Sequence, residues 1–157
     1  MNCFNDKNGR QWTLELNVGS ARRVKAETGF DILNIMDLGD GEGNFSGFEK
    51  LASDAGLLVD VIYSLCKSQA EKSGLDGDGF AELFNGDAVE GAADALVKEI
   101  IDFSQPLKRK MLTVIYERTK RFREEAMEQM TAELESGKVG EILDAELSRL
   151  STNTQGQ

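Results

Sequence analysis

The chain has 157 residues, 40% of them apolar and 29% charged, with a net charge of −10, no histidine and two cysteines. Such proportions suit one folded domain, and the missing histidine removes His-based acid–base catalysis and most zinc sites. The net charge argues against a nucleic-acid binder that relies on overall charge, and no apolar run approaches the ~18 residues of a membrane span.

The start, Met1-Asn2-Cys3-Phe4, has neither the basic flank nor the apolar stretch of a signal peptide. Two cysteines are too few for a disulfide scaffold, so a reducing cytoplasm is the expected setting. Asn8-Gly9 is a tight-turn signal, and residues 11–18 after it alternate, with Trp12, Leu14, Leu16 and Val18 on one face. That pattern predicts a half-buried strand whose hairpin partner is 2–5. A lone hairpin is marginal in water, so its apolar face must rest on helices.

Ser20 is placed to cap a helix running to Thr28, with Gly29 as its stop. Arg22, Arg23 and Lys25 then face mostly outward, and Ala21, Val24 and Thr28 inward. Phe30, Ile32, Leu33, Ile35 and Met36 predict a short second helix opened by Asp31. Residues 38–47, with glycines at 39, 41, 43 and 47, read as a flexible loop and the one internal hinge. Ser53 or Asp54 caps a helix over 55–72, its buried edge set by Leu58, Val61, Ile62, Leu65 and Gln69, and Gly74 ends it. Asp76 caps a short helix carrying Phe80, Leu83 and Phe84 before the Asn85-Gly86 break. Asp87 and Glu90 have capping-box spacing and open a helix to about Phe103, with Val89, Ala93, Leu96, Val97, Ile100 and Ile101 inward.

The longest uninterrupted pattern is 107–134, opened by Pro106. Leu107, Met111, Ile115, Phe122, Ala126, Met130 and Leu134 share one helical stripe. A helix of that length measures roughly 42 Å, about the ~40 Å diameter of a compact chain this size, so it spans the domain or projects from it. It breaks at Ser136-Gly137, and a last helical segment covers 139–150. The expected fold is mainly α, an N-terminal β-hairpin packed on a bundle of about five to seven helices with one long C-terminal helix. The expected organisation is a single helical domain over 1–135, a short C-terminal helix over 136–150 and a disordered tail over 151–157.

No constellation for chemistry emerges. An EF-hand started at Asp40 puts Phe45 at its glycine position and Leu51 at its glutamate, and one started at Asp76 puts Ala81 at the glycine. Cys66 lies on an apolar helical edge as a structural thiol, and Glu124-Glu125 belong to a solvated helix surface. Catalytic, cofactor-binding and metal-binding residues are therefore all expected to be absent.

Charge is unevenly laid along the long helix. Seven basic residues (Lys108, Arg109, Lys110, Arg118, Lys120, Arg121, Arg123) stand against Glu117 alone, and from Glu124 to Glu146 eight acidic residues stand against Lys138. Three arrangements answer this layout: packing of the basic part on the acidic body, head-to-tail docking between copies, or an external anionic partner. Aromatic stacking residues are missing around the basic run, so nucleic acid is the least favoured of these. Met111, Phe122, Met127, Met130, Leu134, Arg118 and Arg121 are the candidate residues for partner binding or self-association. The plainer alternative for the methionines is that they fill gaps in the core.

Several stretches taken in order carry a family likeness. They are Asn8-Gly9-Arg10-Gln11-Trp12-Thr13-Leu14, then Ala21-Arg22-Arg23-Val24-Lys25-Ala26-Glu27-Thr28-Gly29, the helix over 57–72, the Phe80…Leu83-Phe84-Asn85-Gly86-Asp87 junction, and Ala95-Leu96…Ile100…Phe103 ahead of Pro106. This order resembles that of the tail assembly chaperones of long-tailed bacteriophages and prophages, over most of residues 4–135. The likeness is one of pattern rather than of any single diagnostic motif. It implies a largely helical, self-associating, non-enzymatic protein that binds the tape-measure protein and helps recruit tail-tube subunits, in the host cytoplasm. It also implies, for many members, a frameshifted form with a longer C-terminus. From the residues alone a second reading stands beside it: a small acidic cytoplasmic regulator or adaptor that binds a protein or nucleic acid through 108–123.

Overall fold

A computed structural model describes residues 1–35 and 46–154. Strands β1 (Cys3–Asn5) and β2 (Gln11–Thr13) pair antiparallel, with Phe4 opposite Trp12. The turn joining them is closed by Asp6 N–H donating to the Arg10 carbonyl and Gly9 N–H donating to the Asp6 carbonyl.

The alternation read over 11–18 holds only to Leu14. Trp12 and Leu14 are buried, but Leu16 is half-buried and Val18 is exposed. Asn17 is the reason: it leaves the extended run to cap helix α1 (Val18–Thr28). Its side chain accepts from Ser20 N–H while the Ser20 hydroxyl accepts from Asn17 N–H, so Ser20 completes the capping box instead of being the cap. Within α1, Ala21 and Val24 are buried as expected. A single 3-10 turn, Ile32–Asn34, replaces the expected second helix, with the Asp31 side chain accepting from Leu33 N–H. Phe30, Ile32 and Ile35 are buried and Leu33 is exposed.

Met36 and the loop expected over 38–45 lie outside the described residues. The far end of that expected loop is not loop. Residues 46 and 47 open helix α2 (Ser46–Ser53), an element the sequence pattern did not announce. A Cβ at Gly47 would come within 2.7 Å of the Ile35 carbonyl oxygen and 2.8 Å of Ile35 Cγ1. Glycine is there because two backbones approach closely, not because the chain turns freely.

Helix α3 (Ala55–Lys72) has the bounds expected, with Asp54 accepting from Leu57 N–H at 2.9 Å. It buries Leu58, Val61, Ile62 and Leu65, and also Val59, Ser64, Cys66 and Ala70. Short helix α4 (Gly77–Ala81) is capped by Asp76, again as expected, and buries Phe80. Helix α5 (Gly86–Phe103) starts two residues earlier than a cap at Asp87 implies, because Asn85 is the cap and accepts from Ala88 N–H. The buried face moves with it to Ala88, Ala92, Ala95, Leu96, Glu99, Ile100 and Ile101, leaving Val89, Ala93 and Val97 half-buried.

Around α3 sit α1, α2, α4, α5 and β2, while β1 rests on α5. Gln69 stitches β2 to α3: its Nε2 donates to the Thr13 carbonyl at 2.6 Å and its Oε1 accepts from Thr13 N–H at 3.2 Å. Trp12 meets Phe80 edge-on, ring centres 4.9 Å apart, and Phe84, Tyr63 and Phe4 extend the aromatic cluster. The fold is thus mainly helical with a two-stranded N-terminal hairpin.

Beyond α5 come helix α6 (Pro106–Glu135) and helix α7 (Lys138–Thr154). Gly137, at φ +78°, separates them where the break was expected. The chain divides into two compact units, Met1–Arg109 and Lys110–Gln157, and the division falls inside α6. Since α7 continues to Thr154, residues 151–154 are helical rather than tail, and 155–157 lie outside the described residues.

Candidate functional site

Several titratable side chains in the first unit are occupied in holding the fold. Glu99 is buried and accepts from the Asn2 backbone N–H at 3.0 Å, from Asn2 Nδ2 at 2.9 Å and from Leu16 N–H at 3.3 Å. Burial pushes Glu27 up, but hydrogen bonds from Lys67 and Ser64 and the charges of Lys67 and Arg23 hold it below the usual carboxylate range. Arg23 in turn donates Nε–H and a terminal N–H to the Ser64 carbonyl, at 3.0 and 2.8 Å. A hydrogen bond from Lys25 outweighs burial at Asp31 and lowers its pKa. Cys66 is buried and its thiol is pushed up to about 12, so the thiolate needed for nucleophilic attack is suppressed.

Among the described residues no group of His, Cys, Asp or Glu could hold a metal ion, and no buried side-chain polar atom lacks a hydrogen-bond partner. Nor is any helix long and apolar enough to cross a membrane.

What remains open is apolar surface on the second unit. Of α6, Leu112 is buried and Ile115, Tyr116 and Ala126 are half-buried. Phe122 is 74% exposed, Met127 63%, Met130 62% and Leu134 60%, and Met111 is also exposed. None of the three methionines fills a gap in a core. Phe122, Met130 and Leu134 lie along the stripe, and Met127 sits beside it, one turn before Met130 and two before Leu134. Arg118 and Arg121 are exposed on the same helix. The structure therefore places all seven candidate residues on the surface of one continuous helix, over roughly 35 Å of its length. Arg109, from the same basic run, is used internally: it donates to the Asp102 and Ser104 carbonyls at the end of α5, at 2.9 and 3.0 Å.

A second apolar strip was not singled out from the sequence. On α7, Ile142, Leu143, Leu147 and Leu150 are each more than half exposed. Their helical spacing was readable in the sequence, since 143, 147 and 150 fall on one face. The segment was expected to be helical, but periodicity alone does not say whether a helix face is covered.

The fold and this surface define a class: a mainly helical protein with a hairpin in its core and a long amphipathic helix whose apolar face is uncovered. Compared with protein-family models, with curated proteins and with solved structures, the chain matches none.

Proposed function

We propose that the chain is a non-enzymatic tail assembly chaperone of a long-tailed phage or prophage, working in the host cytoplasm and holding the tape-measure protein while tail-tube subunits are recruited. One observation carries the reading: the uncovered α6 stripe, with Phe122, Met127, Met130 and Leu134 each at least 60% exposed. Large apolar side chains gathered on one helix face mark an interaction surface, and an amphipathic helix laid along it would bury them by helix-in-groove docking. Methionines suit such a role because their unbranched side chains adapt to an irregular partner. The order of motifs from Arg10-Gln11-Trp12 to Pro106 supports the phage identity of that partner.

The test is co-expression with the product of the next long downstream gene, followed by pull-down. Phe122→Ser or Met130→Ser should weaken capture ~10- to 100-fold, since burying one such side chain contributes about 1.5–3 kcal/mol. Neutralising Arg118 or Arg121 should weaken it less. Circular dichroism must show that each variant keeps its helix content. A downstream product that is soluble alone and does not co-purify would replace this reading with that of a regulator binding through 108–123.

A further inference from the structure

We infer that two copies of the chain pair antiparallel through α6, about a two-fold axis passing between Phe122 and Arg123. The inference uses residues of α6 alone and holds whether or not the phage reading does. Two properties of the helix are symmetric about that point. The first is apolar. With the axis there, Met111 of one copy lies across from Leu134 of the other, Ile115 from Met130, and Thr119 from Ala126, with the two Phe122 rings flanking the centre. The stripe, exposed except at the half-buried Ile115 and Ala126, is thus nearly its own mirror along the helix, and the overlap runs for roughly 35 Å.

The second property is charge. Between 110 and 123 the helix carries Lys110, Arg118, Lys120, Arg121 and Arg123 against Glu117, and between 124 and 135 it carries Glu124, Glu125, Glu128, Glu133 and Glu135 with no basic residue. An antiparallel pair lays each basic half on the other copy's acidic half. A parallel pair would set like on like, which costs free energy at every turn. Arg118 and Glu125 border the stripe on the same side, two turns apart, so the pairing brings Arg118 of each copy beside Glu125 of the other. Glu117 and Glu128 are the like charges that come level, and both point away from the stripe. Among the described residues none of these charges is in an ion pair within the chain, so they are uncommitted.

These facts select the occupant. A foreign helix would need apolar spacing that fits this stripe and an acidic-then-basic order. A second copy read backwards has both. The face is the one assigned to the helical partner, so pairing and partner binding exclude each other.

Sedimentation of the purified full chain reads the association directly. Dimer is expected at low salt and should weaken as salt rises, because exposed charge pairs are screened over ~8 Å at physiological ionic strength. Arg118→Glu alone, or Glu125→Arg alone, places like charges together twice per dimer and should weaken association about tenfold. The double variant R118E/E125R should restore it. Disulfide trapping then reads the orientation. In a Cys3→Ser background, which removes the exposed thiol, Phe122→Cys should cross-link to itself on mild oxidation. Met111→Cys and Leu134→Cys should each fail alone, their copies lying roughly 35 Å apart, and should cross-link when mixed. A chain that stays monomeric at low salt and high concentration, a double variant no better than the singles, or a Met111→Cys that links to itself as readily as Phe122→Cys would overturn the inference. All of these measurements use the chain alone, so their failure leaves the tape-measure reading standing.

Discussion

Asp6 holds the hairpin turn together, and its removal should be costly for a side chain of its size. It is buried, with Oδ1 accepting from Asn8 N–H at 2.9 Å and Arg10 N–H at 3.0 Å, and Oδ2 accepting from Trp12 Nε1–H at 3.0 Å. Asp6→Ala strands the indole N–H of a Trp that is only 1% exposed. Losing a charged acceptor there should cost about 1.5–3 kcal/mol, and the two turn N–H groups, which water can reach, about 0.5 kcal/mol each. The sum of roughly 2.5–4 kcal/mol is a large part of the ~5–15 kcal/mol by which a domain is stable. With a urea slope near ~1.5 kcal/mol/M, the midpoint should fall by about 2 M. The single Trp reports this unit, and far-UV circular dichroism should follow in parallel because the substitution alters the emission itself.

The same carboxylate sets a pH dependence. Burial raises its pKa, yet the hydrogen bonds from Trp12, Arg10 and Asn8 and the charge of Arg10 outweigh that and hold it low. Folding therefore favours the ionised form. The contribution is fully present above the unfolded-state value of ~4 and is lost as pH falls through the lower folded-state value. Asp6→Asn should flatten that acid limb and keep part of the stability at neutral pH. An Asp6→Ala midpoint within ~0.3 M of the parent, or identical acid limbs for parent and Asp6→Asn, would refute the account.

Two further outcomes follow from close packing. Gly47→Ala drives a methyl against the Ile35 backbone and should cost about 1–3 kcal/mol by thermal or urea unfolding; an unchanged midpoint would mean α2 moves aside freely. A thiol reagent should modify Cys3 quickly and reach Cys66 only in denaturant, because burial first, then the charges of Glu15 and Cys3, raise the Cys66 pKa; two fast thiols in the native chain would contradict that.

Much of the architecture was readable where a cap and a stop agreed. Asp54 and Gly74 bracket α3, and Asp76 marks α4, because a side-chain acceptor for the first free N–H groups is a local property. Reading failed where one residue had two uses. Asn17 belongs to an alternating run and to a cap, and the cap takes it. Gly47 looks like loop composition but answers a tertiary contact, which no local rule can see. Glu99 lies on the Ala88, Ala92, Ala95 face of α5, a position where an acidic residue signals a buried acceptor, yet its donors come from residues 2 and 16. The candidate surface was half legible. The stripe on α6 was visible as a pattern, but periodicity predicts a helix face and is silent on whether anything covers it.

The clasp at Glu99 has a consequence for how the protein is made. Asn2 and Glu99 are 97 positions apart, and β1 has its helical support from α5. The first strand to be synthesised must therefore wait for almost all of its unit before it can dock. At ~5–20 residues per second that interval is roughly 5–20 s, during which α1, α3 and α4 can assemble from nearer contacts. A stalled or truncated product ending before residue 99 would leave the apolar underside of its leading strand bare. The last turns of α5 therefore complete the docking of β1.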